Sequence, residues 1–201
     1  VRNQSSSIWN ETLGQIAVKG GNEEDKVKFY SALYNAHFLP RTFSDIDGSY
    51  PKFDGGEKTM KMEQGTYYCD FSQWDTYRAV HPLFTILNPS RNGDMAHSLV
   101  LKGLQGGWLP IFPSWNSYTA AMIGDHCIAM IGDAIIKDIP GFDYEEAYAL
   151  MRKNAFEINP DSTSYRDGKG RRAMKSYLKY NYIPLEDPVM DAFHRQEQVS
   201  R

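Results

Sequence analysis

The sequence predicts a mainly α-helical chain of helical hairpins, interrupted by a hairpin or loop excursion near residues 42–71. Three observations carry this. Apolar residues recur at helical spacing in runs set roughly 20–35 residues apart. The loops after alternate runs are long and rich in Trp, Pro, Gly and Asn, as on the functional face of a helical scaffold. The excursion holds Asp47-Gly48 and Gly55-Gly56 between short aromatic stretches, the turn chemistry that joins strands.

In chain order, NEEDKVKFYSALYNAHFLP places acids first and then Val27, Tyr30, Leu33, Tyr34 and Phe38 at helical spacing, with Asn22 as N-cap and Pro40 as the stop. Residues 66–71 read as strand. A helix is expected over 75–87, closed by Asn88-Pro89, and another from Asn92 or Asp94 to about Gln105, before Gly106-Gly107. Further helices are expected over 120–137, after the cap-like Asp143 in FDYEEAYALMRKNAF, and over 169–180. The last five residues, Glu197 to Arg201, resemble the first turn of another helix.

Composition narrows the function. The 201 residues suffice for one domain with a sizeable core. A net charge of -3, with the 22 basic residues scattered, gives no footprint for nucleic acid. No apolar run reaches the length of a membrane span. Cys69 and Cys127 allow one bridge or two thiols. The sequons Asn3-Gln4-Ser5 and Asn10-Glu11-Thr12 lean toward a secretory compartment, so the expected location is secreted or periplasmic.

Two stretches carry candidate chemistry. In FSQWDTYRAVHPLF, Trp74 offers a flat apolar face and Asp75 an acceptor-only carboxylate, a pair suited to a pyranose whose C–H face stacks while its hydroxyls donate. The same residues could cap a helix start and pack beneath it. In GGWLPIFPSWNSYTAAMIGDH, aromatic surface that includes Trp115 lies between two helices, as in a pocket wall. Asp125 and His126 then interrupt AAMIGDHCIAMIGDAII, which is otherwise apolar enough to be buried all round. They are either paired with each other or aimed into a cavity. Metal signals are weak: Asp45-Ile46-Asp47-Gly48 starts like a calcium loop but lacks the later ligands and closing Glu, and no His or Cys spacing fits zinc. The turn Gly168-Lys169-Gly170-Arg171-Arg172 reads as solvated.

Taken together, FYSALYNAHFLPRTFSDIDGSY, GTYYCDFSQWDTYRAVHPLFTILNP, GGWLPIFPSWNSYTAAMIGDH, IIKDIPGFDYEEAYALMRKNA and YNYIPLEDPVMDAFHRQEQVSR resemble glycoside hydrolase family 92, the calcium-dependent exo-α-mannosidases. The resemblance implies a portion of an (α/α)6 toroid, mannose-containing glycans as partners, and Trp74 and Asp75 in the subsite for the non-reducing mannose. Trp115, Asp125 and His126 are expected to share that concavity. It also implies that residues 1–201 are an incomplete catalytic domain. The preceding β-sandwich, the acid and base of inverting hydrolysis and most calcium ligands would lie outside this chain, leaving it inactive alone. One departure stands out: many bacterial members carry Asn-Glu-Thr where this chain has Ser117-Tyr118-Thr119.

Overall fold

The computed structural model describes residues 1–122, 124–161 and 168–187. In chain order it holds α1 (Arg2–Leu13), α2 (Glu23–Ala36), β1 (Arg41–Thr42), β2 (Ser49–Pro51), β3 (Thr59–Lys61), β4 (Tyr68–Cys69), α3 (Gln73–Thr76), α4 (Val80–Leu87), α5 (Pro89–Gly106), α6 (His126–Ile136), α7 (Tyr144–Phe156) and α8 (Met174–Tyr180). The expected last turn at 197–201 lies outside the described residues. The chain is mainly helical, and its described strands all fall between Arg41 and Cys69, as two antiparallel pairs, β1 with β4 and β2 with β3.

Local signals set most boundaries. Asn22 accepts from the Asp25 N–H while the Asp25 carboxylate accepts from the Asn22 N–H, a capping box that starts α2 with three acids in its first turn. Asn88 caps α5 through the Arg91 N–H, and Pro89 enters where a missing N–H costs nothing, so α5 starts earlier than expected. Gly107, at φ 88°, ends it. Asp143 caps α7 through the Glu146 N–H.

Four expectations need correction. The helix expected over 75–87 is two pieces, α3 and α4. Pro82 cannot donate to the Arg78 carbonyl, and its ring would crowd that oxygen, so the chain breaks at residues 77–79 and restarts with Pro82 in a first turn. The helix expected over 120–137 begins only at His126, because Met122 and Gly124 adopt left-handed conformations. Ala173, at φ 56°, likewise delays α8 to Met174. Helix α1 was not expected from its polar sequence, and its Trp9 ring packs edge-on to Tyr34 of α2 with centroids 4.5 Å apart.

The core gathers around α5. Its Met95, Leu99 and Val100 pack with Phe84 of α4, Met130 and Ile131 of α6, Leu150 of α7, and Tyr68 and Phe71 of the excursion. Burial of each large apolar side chain stabilises by about 1.5–3 kcal/mol. This packing ties the excursion and the short α3 to the helical layer, and so fixes the segment that holds Trp74 and Asp75.

Candidate active site

Helix α3 is a single turn that buries Gln73 and Thr76 and turns Trp74 and Asp75 outward. The Ser72 carbonyl accepts the N–H groups of Asp75 and Thr76 at 3.0 and 3.1 Å, and the Ser72 hydroxyl donates to Asp75 Oδ2. Four residues beyond Trp74, the Arg78 guanidinium lies 5.1 Å from the Trp74 ring centroid and 5.2 Å from that of Tyr77. Tyr77 in turn stacks on the imidazole of His126, with centroids 4.4 Å apart and planes 14° apart. Trp74, Arg78, Tyr77 and His126 therefore form one continuous layer from α3 to the start of α6.

Asp125 and His126 are not inside a helix as expected. Asp125 is the N-cap residue of α6 and His126 its first helical residue. The Asp125 side chain is 10% exposed and accepts from Arg171 Nε at 2.8 Å. Burial raises its pKa, and the hydrogen bond and charge of Arg171 oppose that shift. The basic turn expected to be solvated is thus engaged twice, since Lys169 also pairs with Asp54 at 2.5 Å.

Trp115 stands on a different element, the loop between α5 and α6. It and Asn116 are the central residues of a two-residue hairpin turn, at φ 49° and 58°, closed by mutual Ser114 and Ser117 backbone bonds of 3.1 and 3.0 Å. The Trp115 N–H donates to Asp70 Oδ1 at 2.8 Å, and the Trp115 side of the turn is its open side, the residue being 79% exposed. The structure thus joins Trp74 to His126, sets Asp125 directly before it, and ties the Trp115 turn to the segment ahead of Trp74 through Cys69, Asp70 and Phe71. Tyr77, Arg78, Asp70 and Arg171 were not singled out from sequence as site residues. The i, i+4 spacing of Trp74 and Arg78 on a helix start is a signal that finds one of them. Nothing in the letters pairs Arg171 with Asp125.

Both cysteines are buried free thiols. Burial holds Cys127 well above the usual thiol range, which leaves it without thiolate character. In the calcium-like loop the Asp47 carboxylate accepts from the Ser49 N–H and hydroxyl at 2.9 and 2.8 Å. Among the described residues no group of three or more His, Cys, Asp or Glu could hold a metal, and no helix is long and apolar enough to cross a membrane.

The family model for the glycosyl hydrolase family 92 catalytic domain matches residues 1–201. The chain belongs to glycosyl hydrolase family 92. It is similar to the family GH92 alpha-mannosidase of Bacteroides thetaiotaomicron solved alone and in complex with mannoimidazole, with a TM-score of 0.80, 32% identity, and coverage of 92% of this chain and 23% of that one. It is also similar to a Family GH92 inverting mannosidase of the same organism, with a TM-score of 0.81, 29% identity, and coverage of 92% of this chain and 24% of that one. No match was found among curated proteins. The chain spans about a quarter of the length of these solved family-92 chains. Its helices are a portion of the family's helical toroid, with the strand pairs as an excursion from it.

Proposed function

We propose that this family-92 chain supplies part of the mannose subsite of an inverting exo-α-mannosidase acting on terminal α-mannosyl linkages of glycans. The observation that carries the reading is the continuous Trp74–Arg78–Tyr77–His126 layer with the outward Asp75 beside it. A pyranose presents an apolar C–H face to such aromatic surface, and its vicinal hydroxyls donate to a carboxylate. Ser72 steadies Asp75 Oδ2 and leaves the residue exposed to a ligand.

Inversion needs a carboxylic acid on the leaving oxygen and a carboxylate base on water, roughly 6.5–9.5 Å apart. Asp125 and Asp70 are already engaged, by Arg171 and by Arg41 with the Trp115 turn. The proposal therefore assigns binding, and neither acid nor base, to these residues. Calcium, implied by the family, would take most of its ligands from outside this chain. A secreted or periplasmic location follows from the same reading, since both sequons lie on the helix α1.

The test uses the complete product of the gene. Charge-assisted hydrogen bonds from two sugar hydroxyls are worth about 1.5–3 kcal/mol each. Asp75→Asn should therefore lower kcat/KM for an aryl α-mannoside by roughly two orders of magnitude or more while leaving the thermal midpoint unchanged. If Asp75 serves only the helix start, as the third helical residue that accepts from the Ser72 hydroxyl, Asn still accepts that bond and the kinetics stay near normal. That outcome removes the proposal.

A second reading is a sugar-binding member of the same fold without turnover. The departure from Asn-Glu-Thr bears instead on linkage and leaving group: Tyr118 is buried there and its hydroxyl is committed to the Trp108 carbonyl and N–H, at 2.5 and 3.2 Å. Mannoside binding without any hydrolysis by the complete protein would select the second reading.

A further inference from the structure

The Trp115 turn is built with far more care than its sequence would need for turning alone. Two-residue hairpin turns of this hand favour Asn-Gly, and a bulky aromatic at the first left-handed position is strained. Here the turn is held from several sides. Asp70 is itself left-handed at φ 59°, and it is pinned by Arg41 Nε at 2.7 Å while it accepts from Trp115 N–H at 2.8 Å and the Ser114 hydroxyl at 3.3 Å. Asn116 accepts from the Tyr67 hydroxyl at 2.7 Å, donates to the Pro51 carbonyl at 2.6 Å, and receives the Asp54 N–H at 3.0 Å. All this fixes the backbone, yet the tryptophan is 79% exposed and enters no ring stack among the described residues. The core does not use the indole. The turn does not need it. Strain that the surroundings over-determine is the kind kept for function.

We infer that Trp115 is a rigid stacking platform for a second sugar ring, beyond the mannose held by the Trp74 layer. The inference rests on the proposed mannose subsite. An indole presented by a locked turn offers a flat apolar face at little entropic cost on binding, which suits the C–H face of a pyranose. Asp70, which holds the Trp115 backbone, lies four residues ahead of Trp74, so both aromatic side chains are anchored on one segment. Trp74, 38% exposed and covered by Arg78, suits the terminal sugar, and the more open Trp115 suits the next one outward. Trp115 is then a specificity residue that favours a mannosyl sugar over a small aglycone.

The experiment measures binding of methyl 1-thio-α-mannoside and of a non-hydrolysable, S-linked α-mannobiose to the complete gene product by calorimetry, for the native protein and three variants. Trp115→Asn suits the left-handed backbone, so the fold is retained and the thermal midpoint is equal or higher. Its expected effect is a roughly tenfold fall in the preference for the disaccharide over the monosaccharide. Trp115→Phe keeps most of that preference, and Asp70→Ala, which releases the turn, loses it as Trp115→Asn does. If the disaccharide preference is unchanged in Trp115→Asn, or absent in the native protein, the platform is wrong while the mannose subsite stands. If the native protein binds neither sugar, both fall together.

Discussion

His81 in α4 has both imidazole nitrogens buried without a hydrogen-bond partner among the described residues, and its ring stacks 6.3 Å from Phe71. Burial lowers its pKa to about 4, with the charge of Asp133 pulling the other way. Its folded pKa thus lies below the unfolded value of 6.5. The folded form stays neutral where the unfolded chain takes up a proton, so its contribution is complete above about pH 6.5 and is lost as pH falls toward 4. A shift of this size corresponds to about 3 kcal/mol. Asp94 and Asp125, whose pKa values burial raises, act in the opposite sense at acid pH, so the comparison must be between proteins. His81→Leu, which removes the titrating group from an apolar site, should lose less stability than the native chain between pH 7 and pH 5 in urea unfolding. Equal losses would show that His81 is not the acid-sensitive group. At this scale the site was only partly legible. Trp74 and Asp75 stand out because an aromatic beside an acid suits a sugar wherever it is exposed. Arg171 does not, because its partner Asp125 is 46 residues away in sequence and the pairing exists only in three dimensions.

Among the elements, α5 and α6 give opposite answers to one substitution. A Cβ on Gly93 of α5 would lie 1.9 Å from the Pro140 carbonyl oxygen, with backbone on both sides of the clash. A Cβ on Gly132 of α6 would meet only the Met151 Cε, at an ordinary 3.5 Å. Gly132→Ala should therefore stabilise by up to about 1 kcal/mol through helix propensity, while Gly93→Ala should destabilise by about 3 kcal/mol, because α5 must move off the loop after α6. Thermal unfolding of both variants checks the pair; a stabilising Gly93→Ala would mean that the two elements do not approach so closely. The elements were legible where the end signals are side chains, as with the Asn22 box on α2 and Asp143 on α7. They differ from the sequence reading where a non-glycine residue adopts the left-handed conformation, as at Met122 and Ala173, because neither residue type signals it. Helix α1 was missed because its own apolar moment is weak and its docking depends on Trp9 meeting Tyr34.

Across the whole molecule, excursion and helices meet at one buried charge. Lys102 of α5 is fully buried, donates to the Tyr68 carbonyl at 2.6 Å, and holds its ammonium 3.6 Å from the Tyr67 ring centroid, with Phe53 and Phe71 at 5.5 and 5.7 Å. Burial lowers its pKa to about 7, against the opposing pull of Cys69, Asp70 and Cys127. The unfolded chain therefore carries an extra proton over the range from about 7 to the ordinary 10.5, and stability rises with pH through that range. Above about pH 9 the two thiols reverse the trend, since burial raises both above their ordinary 9.0 and the unfolded chain ionises first. The tyrosines Tyr67 and Tyr118 act likewise at still higher pH. Between pH 7 and 8.5 Lys102 is the dominant contributor, with the two thiols offsetting part of it toward the upper end, and the net rise is on the order of 1 kcal/mol. Lys102→Met keeps the aromatic contacts and removes the proton, so its unfolding free energy should not rise across this window while that of the native chain climbs. The cation contacts with three rings join β4, the β2–β3 pair and α5, so the same variant also reports whether the charge holds the excursion on the helices. If it does, protection of the Tyr68 and Cys69 amides from hydrogen exchange falls in Lys102→Met at pH 6, where the native chain carries the charge. A native chain with no rise between pH 7 and 8.5 would place the ammonium in water, and the excursion would then be held by the aromatic packing of Tyr50, Phe53 and Tyr67 without it.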